Sequence, residues 1–380
     1  MPLTARQLNR ATLGRQLLLR REPLDVVDGV RRVVALQAQD AASPYLALWN
    51  RLADFDPVDL DRAFADHAIV KGQLLRITLH AVDAVDYPAF HRAMQMTLRA
   101  ARLTDGRFTR TGLTSADADA LMPEVLAFAA RPRTNREAEA WLDERLGVTE
   151  KPGVWWAFRQ FGPLWHHPTG GPWSFGPRPS YVAARIDAAA RATDPATSMQ
   201  WLVRRYLEGF GPATIQDIAQ FSTIYRPPVK EAVAGLGDEL VRLEGPNGEV
   251  LLDVPDAPLP AEDTPAPPRL MAMWDSTLMA YRDRSRVIPP DYRTVVMRNN
   301  GDVLPTLLVD GHVAGVWRPV ESGIEATAFH PLTDDAWDGL AAEAAALVGF
   351  LADREPMVYR RYGHWWTKGL PSAEVRLLPG

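Results

Sequence analysis

Apolar and polar positions alternate along the chain in two patterns, one typical of amphipathic helices and one typical of short strands. The first four helical patterns lie at residues 4–20, 24–36, 43 onward and 57–66. Thr4 is a candidate N-cap for the first of them. Apolar runs at 68–71 and 75–80 then predict a small hairpin around Gly72. Helices followed by a hairpin are the outline of a winged helix-turn-helix unit.

The same outline recurs twice further along the chain. In the second occurrence, Thr134 and Glu137 form a capping box, and the predicted helices at 115–130, 134 onward and 153–161 precede short strands at 164–167 and 173–175. In the third, the predicted helices at 199–208, 215–221 and 228–236 precede strands at 240–243 and 250–254. The step Asn247-Gly248 between those strands is a strong hairpin signal. The repetition predicts tandem winged-helix units, with unrelated α+β segments as the alternative.

After a proline-rich linker at 253–268, the pattern becomes strand-like. Strands are predicted at 293–298, 304–309, 312–317, 357–361 and 374–378, with one alanine-rich helix at 335–352. The predicted fold class is therefore α+β, with about three winged helix-turn-helix units and a C-terminal β-rich, barrel-like module. The expected boundaries are 1–110, 111–190, 191–262 and 263–380, and the candidate catalytic loop falls in the first unit.

The distribution of charge changes the expected partner. The net charge of −5 is unusual for a protein that binds nucleic acid. However, residues 1–110 hold 16 basic and 12 acidic side chains, and residues 269–298 hold six basic and three acidic ones. Two basic segments on an acidic chain suggest a surface for a polyanion, although chance clustering gives the same counts. No apolar stretch is long enough for a membrane span, and no signal pattern stands at the N-terminus.

The common catalytic signatures are absent from the sequence. The chain has no cysteine, which excludes disulfides, thiolate catalysis and cysteine-bound metals. It has no serine-nucleophile, zinc-protease, phosphate-loop or dinucleotide motif. Adjacent His166 and His167 are interpreted as wing residues and not as metal ligands, so no metal and no cofactor are expected. A group of tryptophans favours core and wing packing over a base-stacking platform. Its members are Trp155, Trp156, Trp165 and Trp173.

Two glutamines stand close together between the second and third predicted helices, in the segment from Leu36 to Asp40. On a helix, Gln37 and Gln39 would point to opposite faces, but in an extended connection they face the same way. Paired amides at such a junction can hold a water molecule between them. The residues alone leave open the simpler interpretation of surface or capping glutamines.

Several separated motifs carry a resemblance to a known family. They are Leu36–Asp40 with Leu46–Arg51, Gly209–Asp217, Trp274-Asp275 with Tyr281–Arg284, and Leu308–Gly311 with Gly315–Trp317. In this order, they resemble the bacterial winged-helix family that includes the AlkZ-type glycosylases of azinomycin resistance and the YcaQ-type DNA glycosylases. The resemblance implies a monofunctional DNA glycosylase that removes N7-alkylated purines. It also implies possible unhooking of antibiotic-derived adducts or interstrand crosslinks, in DNA repair or self-resistance.

The resemblance also assigns residues. The family signature is glutamine, an aliphatic residue, then glutamine or aspartate, so Gln37 and Gln39 are the expected catalytic pair. Asp40 falls one position too late to replace the carboxylate of the YcaQ-type form, which leaves the chain without an evident general base. The expected phosphate contacts are Arg282, Arg284, Arg286 and Arg298, with Asp283 bracing the arginines.

The expected partner is double-stranded DNA that carries alkylated purines, bound by a soluble, cytoplasmic and monomeric protein. A non-catalytic winged-helix DNA-binding regulator is the main alternative. A protein that sequesters a small molecule in a tryptophan-lined cleft is the second.

Overall fold

A computed structural model describes residues 2–147, 152–187 and 193–379. Its helices are α1 (Ala5–Arg15), α2 (Val26–Val33), α3 (Ser43–Trp49), α4 (Pro57–Ala65), α5 (Tyr87–Leu103), α6 (Gly106–Thr109), α7 (Ser115–Phe128), α8 (Asn135–Leu146), α9 (Pro152–Phe161), α10 (Pro195–Phe210), α11 (Ile215–Ser222), α12 (Arg226–Leu236), α13 (Ser276–Met279), α14 (Arg293–Val296), α15 (Asp334–Ala352) and α16 (His364–Thr367). Each of these described helices is too short or too polar to cross a lipid bilayer.

The strands are short, and most of them lie where the sequence predicts apolar runs. They are β1 (Leu36–Gln37), β2 (Ile69–Gln73), β3 (Leu79–Asp83), β4 (Arg133–Thr134), β5 (Leu164–His167), β6 (Ser180–Ala183), β7 (Val241–Glu244), β8 (Val250–Asp253), β9 (Arg269–Leu270), β10 (Thr306–Val309), β11 (His312–Val320), β12 (Gly323–Ala328) and β13 (Glu374–Leu378). The strands β7 and β8 pair as the predicted hairpin, and Gly248 takes the positive φ that its turn requires.

Threonine caps fix where several helices begin. The side chains of Thr4 and Thr134 accept hydrogen bonds from the third backbone amide of α1 and α8, and Gln7 and Glu137 complete the two capping boxes. Both caps confirm the sequence prediction. Such a cap stabilises a helix by about 1 kcal/mol.

The first two predicted units share one sheet. Its strand order is β1-β3-β2-β5-β6-β4, and the hairpin of the first unit joins that of the second where Lys71 pairs with His166 and Gly72 with Trp165. The chain is thus a mixed α and β protein in which β1, the strand that carries Gln37, lies at a sheet edge. The number and boundaries of the winged-helix units stay a prediction.

The C-terminal module is not barrel-like, which corrects the sequence prediction. Its five strands form an open antiparallel sheet in the order β13-β12-β11-β10-β9. The end strands β9 and β13 do not pair with each other. Instead of a closed ring of strands, helix α15 packs against the sheet and buries Trp337, Leu340 and Leu347. Because the helix covers the apolar face of the sheet, this face is buried without closure of the strands into a barrel.

Three predicted strands are wrong. Residues 173–175 form a loop, because Trp173 is buried against Tyr45 with 5.1 Å between ring centroids, and the wing strand is β6 instead. Residues 293–298 begin with the short helix α14. Residues 357–361 form turns, and Tyr359 adopts a left-handed φ of 63°. The sequence analysis also missed helix α5 and strand β12.

Buried ion pairs tie the N-terminal helices to distant parts of the chain. Arg51 binds Asp275 through two 2.8 Å hydrogen bonds, and both side chains are at most 1% exposed. Arg15 binds Asp253 in the same bidentate manner at 2.7 Å. The bidentate geometry pairs each buried charge with an opposite one, although Nε of both arginines has no partner among the described residues. The first pair holds the chain just after α3 against the start of α13, and the second holds the end of α1 against the end of β8.

Candidate active site

The two glutamines lie in an extended junction at the edge of the six-stranded sheet. Helix α2 ends before Val34, whose φ of 75° redirects the chain. Gln37 then pairs with His80 of β3, and the amide of Ala38 donates a 2.8 Å hydrogen bond to the carbonyl of Leu79. The chain leaves the sheet at Gln39 and enters α3. The predicted extended connection is therefore present.

Both glutamines line one cleft of about 730 Å³, called here the glutamine cleft. The β2–β3 hairpin, α5, α9, strands β5 and β6, and three segments of the C-terminal module form its other walls. Its remaining lining residues are Gln73, Arg76, Ile77, Thr78, Leu79, Arg102, Arg159, Gln160, His166, Tyr181, Trp274, Met279, Asn300, Gly301, Asp302, Arg361 and Tyr362. A cavity of this volume is large enough for a nucleobase.

Gln37 is held in one orientation. Its side chain is almost fully buried, and its Oε1 accepts a 2.8 Å hydrogen bond from Nη2 of Arg76. Its Nε2 donates to Oγ1 of Thr78 at 3.2 Å. The hydroxyl of Thr78 lies 3.4 Å from the same Oε1, but its single proton has a closer acceptor in the carbonyl of Leu75 at 3.1 Å. Since a carbonyl oxygen has two lone pairs, one then remains available beside the one that Arg76 occupies.

Arg76 is fixed in turn by the tip of the hairpin. It adopts a φ of 53°, its guanidinium lies 4.9 Å from the ring centre of Phe221, and it donates to Nε2 of His80 at 2.9 Å. Burial, together with the charge of Arg284, lowers the pKa of Arg76 to about 9, so the group is still charged at neutral pH. Among the described residues, no carboxylate pairs with it.

His80 supports this arrangement as a neutral ring. Burial and the charge of Arg76 keep its pKa well below 6.5. Its Nδ1 lies 3.1 Å from the carbonyl of Thr78, so Nδ1 carries the proton and Nε2 accepts from Arg76. The chain His80, Arg76, Gln37 therefore has a defined hydrogen-bond direction.

Gln39 lines the same cleft as Gln37, but the two side chains differ in exposure and in hydrogen bonding. Its side chain is exposed, and its amide makes no hydrogen bond within the described part of the chain. Asp40, the next residue, points elsewhere, as the sequence suggested. It binds Arg361 at 2.7 Å and accepts from the amide of Ala42. One glutamine is thus fixed and the other is free to contact a ligand.

The sequence analysis missed one carboxylate on the wall of the glutamine cleft, that of Asp302. It accepts hydrogen bonds from Nε1 of Trp365 at 2.8 Å and from the amide of Asn300 at 3.0 Å. It also contributes, with burial and Asp40, to raising the pKa of Tyr362 to about 12. The only signal for it in the sequence is the turn at 299–302, which is a common loop pattern.

The predicted phosphate-binding arginines do not form one patch. Arg282 and Arg286 line a second cleft of about 700 Å³, together with Arg6 and Arg293. Arg282 is exposed, whereas Arg286 packs 3.9 Å from the ring centre of Tyr281 and donates to a backbone carbonyl at 2.9 Å. The first is therefore available to a ligand, and the second also has a structural role.

The other two arginines lie elsewhere. Arg284 contacts the sulfur of Met297 at 2.9 Å, and Arg298 lies 4.8 Å from the ring centre of Trp365. Two buried nitrogens of Arg298, Nε and Nη2, have no partner among the described residues. Asp283 caps the amide of Ser285 at 2.9 Å, and it forms no ion pair with these arginines.

The tryptophan group is mainly core. Trp155, Trp165 and Trp173 are at most 3% exposed, which confirms packing over base stacking for these three. Trp156 is partly buried under the guanidinium of Arg107. Residues 2–147, 152–187 and 193–379 contain no group of three or more side chains that could hold a metal ion.

Comparison with known proteins places this geometry in context. The sequence model of the family described as "DNA glycosylase AlkZ-like" matches residues 30–350. The chain is 26% identical over 355 residues to an interstrand DNA cross-link repair glycosylase of Streptomyces sahachiroi, covering 87% of this chain and 91% of that protein. Its fold is similar to that of the DNA glycosylase AlkZ of the same organism, with a TM-score of 0.80 and 23% identity over 94% of this chain and 99% of the other. The resemblance found in the sequence is confirmed.

Proposed function

Because the chain belongs to the AlkZ-like family of DNA glycosylases, we propose that it hydrolyses the N-glycosidic bond of N7-alkylated purines in double-stranded DNA, with Gln37 and Gln39 as the catalytic pair. The cross-link repair named for the relative extends the proposal to the unhooking of interstrand crosslinks, in repair or self-resistance. The protein acts as a monofunctional enzyme and a cytoplasmic monomer, without a metal. DNA lies across the concavity between its winged-helix units.

One observation carries the proposal: both glutamines line the same cleft, one fixed and one free. An N7-alkylated purine is cationic, so the bond between C1′ and N9 breaks with the electron pair returning to the base, which becomes neutral. The sugar develops positive charge at the same time. A water molecule then adds to C1′ and loses a proton to solvent.

The two amides have different tasks in this mechanism. Gln37 presents a carbonyl whose position is set by Arg76, so its free lone pair can hold the attacking water. Gln39 has no competing contact and can adjust to the sugar or to the same water. Positioned polar groups that meet developing charge are typically worth a factor of about 10²–10³ in rate. The carboxylate of Asp302 adds negative charge on the same wall.

The test uses a duplex that carries one N7-methylguanine and measures single-turnover release of the base, with alkali to reveal abasic sites. Gln37→Ala and Gln39→Ala should each slow excision by about 10²–10³-fold. Their combination should fall short of the product of both effects, because the two groups hold one water. Gln220→Ala is the matched control, since Gln220 is exposed on α11, away from the cleft.

In Gln37→Ala, in Gln39→Ala and in their combination, the binding free energy for the duplex should stay within about 1 kcal/mol of that of the natural chain. The reason is that the phosphate contacts lie elsewhere. Wild-type rates in both single variants would show that the catalytic assignment is wrong. Tight binding without excision by the natural chain would favour the DNA-binding regulator instead.

A further inference from the structure

A second cavity adjoins the glutamine cleft. It measures about 830 Å³ and is called here the lysine chamber, because Lys71 lies in its wall. Three residues, Gln39, His166 and Arg361, line both spaces. A base bound beside Gln39 therefore stands at the boundary between them. Each cavity alone falls within the range of about 300–1,000 Å³ that holds a drug-sized ligand, so a methylated purine uses only part of the room.

The chamber has an unusual donor. Lys71 is 5% exposed, yet its ammonium makes no hydrogen bond and no salt bridge with the described residues. Its nearest aromatic neighbour is Phe175, whose ring centre lies 4.3 Å from Nζ. An ammonium with little exposure and no hydrogen-bond partner in the protein is costly, and an acceptor brought by a ligand would reduce that cost.

Neither carboxylate of the same wall accepts a hydrogen bond from Lys71, although the charge of Asp40 favours the protonated amine. Asp40 binds Arg361 at 2.7 Å, and Glu355 accepts from Nε1 of Trp173 at 2.5 Å. Burial lowers the pKa of Lys71 to about 8, which leaves most of the amine charged and able to donate at neutral pH. The chamber therefore presents a donor that is free to meet a ligand.

Part of the remaining wall is aromatic and apolar. The rings of Trp173, Phe175 and Tyr359 line the chamber beside Pro172 and Pro177. Aromatic walls favour a planar guest. The proposed catalytic pair, Gln37 and Gln39, places the reacting purine in the glutamine cleft, and what the base carries at N7 is left to enter the chamber.

We propose that the lysine chamber binds the substituent on the alkylated base, and that the preferred substituent is an aromatic group bearing an oxygen acceptor. This inference rests on the proposed glycosylase function and specifies, among its N7-alkylated purines, a substituent that is aromatic and carries an acceptor. Lys71 acts here as a specificity residue, and the bond-breaking step is unchanged.

The experiment compares three duplexes whose single lesion is N7-methylguanine, N7-benzylguanine or N7-phenacylguanine. The benzyl group is aromatic without an acceptor, and the phenacyl group adds a carbonyl. Single-turnover rates are divided by the spontaneous depurination rate of each adduct, so that leaving-group differences cancel. For the natural chain we expect the phenacyl lesion to exceed the benzyl lesion by about tenfold, the usual effect of one hydrogen bond to a charged donor.

Two variants test separately the hydrogen bond from Lys71 and the volume of the lysine chamber. Lys71→Met should bring the phenacyl rate down to the benzyl rate and leave the methyl rate unchanged, and removal of an unpaired buried charge should not impair folding. Ala41→Phe, which places a ring in the chamber, should lower both aryl rates at least tenfold relative to methyl. Ala116→Phe makes the same change on an exposed face of α7 and is the matched control.

Equal normalised rates for the three lesions in the natural chain would overturn the inference, as would an Ala41→Phe variant that slows all three equally. Failure to excise any lesion would instead count against the proposed function. In that case, affinity for duplexes with the same adducts on a cleavage-resistant 2′-fluoro sugar decides the inference. Tighter binding of the phenacyl duplex that is lost in Lys71→Met supports it, and equal binding of the three duplexes overturns it.

Discussion

Arg76 offers the sharpest test of how the candidate site is organised, because it contacts Gln37 of the proposed catalytic pair without belonging to that pair. The change Arg76→Met keeps the length of the side chain and removes its charge. Oε1 of Gln37 then loses its 2.8 Å donor, and the amide is held only by the 3.2 Å contact with Thr78. We expect Gln37 to populate several orientations, only one of which holds water at the sugar.

The magnitude follows from the contacts. A hydrogen bond from a charged donor contributes about 1.5–3 kcal/mol. If about half to all of this value fixes the productive orientation, excision slows by about 4-fold to 160-fold, since 1.36 kcal/mol corresponds to a factor of ten. The free energy of unfolding should fall by a similar amount, about 1–3 kcal/mol, because removing a half-buried cation recovers part of the loss of its bonds to Gln37 and His80.

The assay is a double-mutant cycle in single-turnover excision of N7-methylguanine. Arg76→Met should slow the natural chain, but it should have no further effect in the Gln37→Ala background, where there is no amide left to position. Arg102→Met is the control, because Arg102 lines the same cleft without contacting Gln37. An equal loss in both backgrounds would refute the positioning role and indicate that Arg76 contacts the DNA directly.

Three further predictions address binding and stability. Lesion-duplex affinity should fall steeply with salt, and Arg282→Ala should reduce the log–log slope by about 0.9; an unchanged slope in filter binding would remove Arg282 from the phosphate contacts. Arg51→Met should lower the free energy of unfolding in urea by about 3–5 kcal/mol, because it leaves Asp275 buried and unpaired. The further change Asp275→Leu should recover most of this loss. No recovery would contradict the account. Burial holds the pKa of His91 at about 4 and that of His80 well below 6.5, so the unfolded chain binds more protons than the folded chain below pH 6.5. The free energy of unfolding should therefore fall from pH 6.5 toward pH 4 by up to about 3 kcal/mol per pH unit for these two groups. The slope should be smaller in His91→Gln.

Local signals in the sequence predicted local structure well. Some signals act over only a few residues, namely the capping boxes that begin at Thr4 and Thr134 and the Asn247-Gly248 turn. Local structure at these places can therefore be predicted without knowledge of the fold. Strand assignments failed where a side chain serves a distant partner. Trp173 sits in an apolar run, yet it packs on Tyr45 far away in the chain, and periodicity carries no information about that contact.

The candidate site was predictable only in part, for the same reason. The resemblance and the extended junction singled out Gln37 and Gln39, and the structure brings both to one cleft. No sequence motif identified Arg76, Lys71 or Asp302. The role of such polar residues depends on their burial and on their neighbours in the folded chain. The joining of two hairpins into one sheet is also a long-range event that short patterns cannot encode.

The ion pairs between the N-terminal helices and later segments have a consequence for how this chain can vary. The segment at 254–268 is strapped to α1, since Arg10 donates to the carbonyl of Thr264 at 2.7 Å and Arg6 to that of Glu262 at 2.8 Å. Its proline-rich composition suggests a natural crossover point for recombination between homologues. However, a chimera joined there inherits Arg51 from one parent and the residue at position 275 from the other. Unless both parents carry the same pair, the hybrid encloses a lone charge, so the two halves must be inherited together.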